Sequence, residues 1–139
     1  MAEKFQLQIV TPERVVFEGG VEEVYAPGWE GEFGVLKGHE PYIFLLKIGE
    51  MRIRQNRQWI YAAISGGLCE VDYDSMQVLA ETCELSYEID VERAERARAR
   101  AEEKLKKLDP FKEEREFLEA QTALQRALIR LQVAGKGHS

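Results

Sequence analysis

Over residues 5–10, FQLQIV, apolar Phe5, Leu7 and Ile9 alternate with Gln6 and Gln8. That period of two turns one face of a strand toward a core. Runs of similar character follow: VVFEG, VEEVYA, GVL, YIFLLKI, MRIR, QWIYAAI, LCEVD, MQVLAE and TCEL. Between them lie TPER, EGG, PGWEG, KGHEP, GE, QNR, SGG and DYDS, rich in the residues that turns require. About ten short strands at this spacing, with no helical pattern among them, predict an antiparallel β-sandwich or flattened barrel over residues 1–87 rather than a parallel α/β sheet.

The period changes at Asp90. Residues 91–108 contain no Gly, Pro or Thr and are rich in Ala, Glu, Arg and Lys, and Asp90 suits the N-cap of such a helix. Asp109–Pro110 stops it, and a second helical pattern runs from about Phe111 to Ala134. A short connection makes the two helices antiparallel neighbours, so residues 88–139 form a two-helix hairpin and the fold class is α+β. Ala94, Ala97, Ala101, Leu105 and Leu108 share one arc of the first helix, and Phe117, Ala120, Leu124, Ala127 and Leu131 make the facing seam. Alanine buries far less surface than leucine. The hairpin is therefore weakly held by its own packing and can also exist opened out.

Arg93, Arg96, Arg100, Lys104 and Lys107 form a stripe beside the apolar arc of the first helix. One reading is a solvated face supported by the pairs Glu92–Arg96, Glu102–Lys106 and Glu103–Lys107. The other is an anion site, with Arg126 and Arg130 of the second helix closing on the stripe to grip a polyphosphate.

Charge sharpens the division into two parts. Residues 1–87 hold 7 basic and 14 acidic residues, and residues 88–139 hold 12 and 11. The overall net charge of −6 opposes broad attraction to nucleic acid, which is excluded as a partner. No apolar run reaches the roughly 20 residues needed to cross a bilayer. MAEKFQLQIV lacks the order of a secretory signal. A cytoplasmic chain without direct membrane insertion is expected, free to sit on a membrane-bound partner. Cys69 and Cys83 stand singly in apolar surroundings and read as small buried hydrophobes. His138 belongs to a GKGHS end expected to fray.

The stretch GWEGEFGVLKGHEP, residues 28–41, invites chemistry and does not supply it. No GK[ST] follows its glycines, and their intervals do not fit GxGxxG. Nothing marks Ser65, Ser75 or Ser86 as a nucleophile for His39. The chain reads as non-catalytic. The loop brings Trp29, Glu30, Glu32, Phe33 and His39 to one end of the sandwich. Its aromatics either cap the core or meet a partner, and Glu32 and His39 lean toward partner contact.

VTPERVVFEG, then PGWEGEFGVLKGHEPY, then AISGGLCEV, followed by an alanine-rich hairpin, closely resemble the epsilon-subunit family of the rotary proton-translocating (F-type) ATP synthase. The resemblance spans nearly the whole chain in order. It implies a non-catalytic central-stalk subunit, peripheral on the cytoplasmic face of the cell membrane, whose sandwich binds the gamma subunit and the ring of membrane subunits. Gly31, Glu32 and His39 match ring-contacting positions, Glu32 being the matching carboxylate. It also implies a hairpin that restrains ATP hydrolysis when extended along gamma into the alpha and beta subunits of the catalytic hexamer. Some members bind ATP as a regulatory ligand on the folded hairpin. Ile89, Asp90, Arg93 and Ala94 match that motif, and Glu84, Arg100, Arg126 and Arg130 match further positions of the site. A stalk subunit without nucleotide sensing and a free-standing adaptor are the alternatives.

Overall fold

The computed structural model describes residues 3–136, so His138 and the end of the chain around it lie outside the described residues. Eight strands are followed by two helices: β1 Phe5–Val10, β2 Val15–Val21, β3 Glu23–Gly28, β4 Gly31–Val35, β5 Tyr42–Gln55, β6 Gln58–Val71, β7 Ser75–Ala80 and β8 Cys83–Leu85, then α1 Val91–Lys107 and α2 Glu114–Ala134. A short 3-10 turn, Ser86–Glu88, joins the two parts.

The expected sandwich is present with fewer, longer strands. YIFLLKI and MRIR run together as β5, and QWIYAAI and LCEVD run together as β6. The glycines between them act as corners inside strands. Gly67 holds a φ of +136°, and a Cβ there would stand 2.2 Å from the Leu79 carbonyl oxygen. Gly49 lies so close to Pro27 that a Cβ would approach its ring to 2.6 Å. Strand β7 and β8 pair with opposite ends of β6, at Gly67–Val71 and Ala62–Ile64 respectively. The two long strands are thus shared by both layers, with β2, β1 and β7 continuing one and β8, β3 and β4 belonging to the other. One pairing departs from the antiparallel expectation: β1 runs parallel to β7, because β2 through β6 together form the crossover between them.

The core lies between the layers. Leu7, Ile9, Val24, Ile53, Ile64 and Val78 are each fully buried within it. At the β5–β6 hairpin the central residues Asn56 and Arg57 have φ of 51° and 67°, the geometry of a tight two-residue turn. Their amides donate to the Glu22 carboxylate at 3.0 and 3.2 Å. Cys69 and Cys83 are buried free thiols, and burial pushes both up to about 12.

Asp90 caps α1, accepting the Arg93 amide at 3.1 Å. The second helix begins at Glu114 rather than near Phe111, because the Asp109 carboxylate accepts the amides of Phe111 and Lys112 at 2.8 and 3.0 Å and holds a turn there. Those bonds keep Asp109 below its usual carboxylate range. The helix seam is as expected: Ala94, Ala101, Ala120 and Ala127 are buried, while Leu105, Leu124 and Leu131 are half-buried. Of the expected ion pairs Glu103–Lys107 forms, at 3.5 Å. Glu102 pairs instead with Arg98, and Glu92 and Arg96 form none among the described residues.

The hairpin lies closed. Register places Glu50, Ala63 and Glu84 side by side across β5, β6 and β8, and the end of α2 covers that outer face. Val133 and Ala134 pack with Ala63 and Ile89, beside Tyr61 and Ile129. Lys136 donates to Glu50 at 2.9 Å, and Arg130 donates to Glu84 at 2.6 Å. No described helix is long and apolar enough to cross a membrane.

Gly67→Ala is expected to destabilise the folded chain by about 3 kcal/mol, since both the backbone conformation and the space exclude a side chain. A denaturant midpoint equal to that of the wild type would contradict the corner geometry. Both cysteines are expected to resist a thiol reagent at pH 8 in the folded chain and to react once it unfolds. Rapid labelling of either under native conditions would contradict their burial.

Candidate functional site

Where α1 leaves the sandwich, the two parts enclose a cleft of about 680 Å3. This falls within the range of small-molecule sites, about 300–1,000 Å3. Its helical wall carries Arg93, Ala94, Ala97 and Arg100 from α1 and Arg130 from α2. Its floor is the sandwich edge at Thr82, Cys83 and Glu84, and its near end is the linker at Ile89 and Asp90. The β1–β2 turn closes the far side with Thr11, Glu13 and Arg14.

Local structure explains each placement. Asp90 is committed to its cap, which fixes the start of α1 at the near end of the cleft. Arg93 and Arg100, seven residues apart, return to the same helix face after two turns. Neither makes an ion pair among the described residues, so both guanidinium groups are available to a ligand. Arg130 and Glu84 already hold each other across the cleft. Arg14 grips Glu88 with both terminal nitrogens, at 2.8 and 2.9 Å. That bond lowers Glu88 below its ordinary range and raises Arg14.

The cleft therefore holds two uncommitted guanidinium groups on one wall and a carboxylate on its floor. Chemically it suits a ligand with an anionic end for Arg93 and Arg100. Glu84 could accept from a neutral donor such as a hydroxyl or amine at the other end.

Seven of the eight hairpin-site residues singled out in the sequence line this cleft: Glu84, Ile89, Asp90, Arg93, Ala94, Arg100 and Arg130. Arg126 does not. One helical turn nearer the hairpin connection, it lines a separate cavity between α2 and the sandwich, with Gly66 and Glu81. The sequence reading missed Thr11, Glu13 and Arg14, which had registered only as turn residues. Strand pairing between β1 and β7 and between β6 and β8 brings them there, and no local signal reports it.

At the glycine-rich stretch, Trp29 and Glu30 form the β3–β4 turn. Trp29 is 68% exposed and caps nothing, whereas Phe33 stacks on Phe44 with ring centroids 3.7 Å apart. Glu32 lies on the outer face, bound to Arg52 at 2.9 Å. Gly31, also exposed, precedes it with a φ of +123°. His39 sits at the rim, its ring 6.0 Å from Phe44 and its Nδ1 bonded to the Glu40 carbonyl at 2.6 Å. Gly31, Glu32 and His39 thus occupy one end of the sandwich, and among the described residues no bond joins Glu32 to His39.

Comparison with known proteins covers both parts. Residues 4–86 match the family described as ATP synthase, Delta/Epsilon chain, beta-sandwich domain. Residues 88–135 match the corresponding long alpha-helix domain. The ATP synthase epsilon chain of Trichlorobacter lovleyi is 51% identical over 136 residues, covering 98% of this chain and 97% of that protein. The epsilon chain of Syntrophobacter fumaroxidans is 50% identical over the same length, covering 98% and 99%. Among solved structures, a chain of the Euglena gracilis mitochondrial ATP synthase superposes with a TM-score of 0.79 over 96% of this chain and 82% of that one, at 23% identity, which speaks for the fold. Two consecutive domain matches in the order of the fold, with near-full-length relatives at half identity, lead to one conclusion: the chain belongs to the delta/epsilon family of ATP synthase subunits, on its epsilon side.

Proposed function

We propose that the protein is a non-catalytic subunit of the ATP synthase central stalk that helps couple proton-driven rotation to ATP synthesis and regulates ATP hydrolysis through its hairpin. In this reading the sandwich binds the gamma subunit and the ring of membrane subunits at the cytoplasmic face of the membrane. Gly31, Glu32 and His39 meet the ring. Support comes from the exposed apolar residues at that end, Trp29, Tyr42, Ile43 and Leu45, since a contiguous exposed apolar surface commonly marks a partner site.

The closed hairpin binds ATP, and the opened hairpin reaches the alpha and beta subunits and slows hydrolysis. The observation that carries the sensing role is the cleft with Arg93 and Arg100 unpaired on its wall. Their charge-assisted bonds hold the phosphates, and Glu84 accepts from the ribose or the base. Phe111, 92% exposed at the hairpin connection, fits a tip that seeks another surface. A ligand specific to the closed form stabilises it by about 1.4 kcal/mol at roughly ten times Kd, enough to bias two nearly balanced states.

Equilibrium dialysis of the full chain against ATP is expected to show binding that Arg93→Ala and Arg100→Ala each weaken by about tenfold or more. Arg126→Ala is expected to cost less, since that side chain faces another cavity. Binding unaffected by all three substitutions would remove the cleft as the site. Absence of binding would leave a stalk subunit without sensing. Co-purification with gamma and the catalytic hexamer separates both from a free-standing adaptor.

A further inference from the structure

The β1–β2 turn lies far from the hairpin in sequence, and yet it holds the hairpin's linker. The turn is rigid: the Thr11 amide donates to the Arg14 carbonyl at 2.9 Å, and the Thr11 hydroxyl accepts the amides of Glu13 and Arg14, each at 3.3 Å. From it Arg14 reaches Glu88 with a two-pronged bond. Glu88 Oε1 also accepts the Leu85 amide at 3.0 Å, so one carboxylate joins the end of β8, the 3-10 turn and the β1–β2 turn. The next two residues are Ile89, buried where α2 docks, and Asp90, the cap of α1.

We propose that Arg14 is a positioning residue for the cleft: by pinning Glu88 to the sandwich it holds the linker in the closed posture and so presents Arg93 and Arg100 to the ligand. With Glu88 fixed, a swing of the hairpin must pivot at Ile89 and Asp90 alone. Without the pair, Ser86–Asp90 keep on the sandwich side, among the described residues, only local bonds, Glu88 to the Leu85 amide and the Ile89 amide to the Ser86 carbonyl. Among the described residues this is the one ion pair made by the linker. Arg14 lines the far side of the cleft and gives one N–H from each terminal nitrogen to Glu88, so the role assigned to it runs through the linker. The pair is part-exposed, 44% and 28% for the two side chains, so its effect is modest, and its two-pronged geometry lifts it above an ordinary surface contact.

The effect on ligand affinity rests on the ATP reading above, whereas the effect on the linker does not. Arg14→Ala in the full chain is expected to speed hydrogen exchange of the amides at residues 86–94 by about three- to tenfold, and to weaken ATP binding by a similar factor. Glu88→Gln keeps an oxygen for the Leu85 amide and gives up only the charged partner of Arg14, so it is expected to reproduce much of each loss. Combining it with Arg14→Ala is expected to add little to either single change, a non-additivity that an independent structural role for Arg14 would not produce. Unchanged exchange in Arg14→Ala, or fully additive losses in the double variant, would overturn the proposal. If the wild type binds no ATP, the ligand reading falls, and the exchange measurement still decides whether Arg14 pins the linker.

Discussion

The docking that distinguishes a closed hairpin from a loose one is concentrated in a small junction on the outer face of the sandwich. Ala63, the one small residue in a row with Glu50 on one side and Glu84 on the other, leaves room for the last turns of α2. Val133 and Ala134 fill it, and Lys136 and Arg130 take the two flanking carboxylates. Burying Val133 and Ile89 contributes about 1.5–3 kcal/mol each, and the alanines contribute less. Against this stands the entropy of ordering a linker and two helices. The alanine seam between α1 and α2 adds little more, so the closed state is held by a margin that a ligand or a partner can exceed.

The sandwich supplies the opposite quality. Its core spans both layers, and the long strands β5 and β6 thread each layer to the other through the glycine corners. Such a body presents fixed edges, and two of those edges form the cleft: the β8 end with Glu84, and the β1–β2 turn with Arg14. A rigid platform facing a weakly docked pair of helices creates a site whose walls belong to bodies of different stability. Whatever fills it must favour the closed arrangement, because only then do the walls face each other.

Much of this was legible in the sequence. The period-two runs and the alanine-rich seams announced a sandwich followed by a hairpin, and the Asp90 cap and the Asp109 stop lie where the residue types indicated. Strand number was misread because Gly49 and the Ser65–Gly67 stretch look like turns, whereas pairing with neighbours on both sides carries the strands through them. Phe33 could be read either way, since stacking on Phe44 depends on a strand encountered later in the chain. The cleft was half visible: the α1 residues follow from helical spacing, Arg130 from the expectation that the second helix closes on the basic stripe, and Glu84 entered through family likeness. Thr11, Glu13 and Arg14 reach it through the parallel β1–β7 pairing together with that of β6 and β8, which no periodicity encodes. Arg126 shows the converse limit, since sharing a helix side with Arg130 does not fix which cavity a long side chain enters.

Native-state hydrogen exchange on the isolated full chain in graded denaturant speaks most directly to the difference between the two bodies. Amides of α1 and α2 should open together, at a free energy well below that of β1, β6 and β7 and with a smaller denaturant slope. Helix and strand amides that exchange only through one common unfolding, with the same free energy and slope, would show a hairpin locked to its platform and would contradict the weak junction.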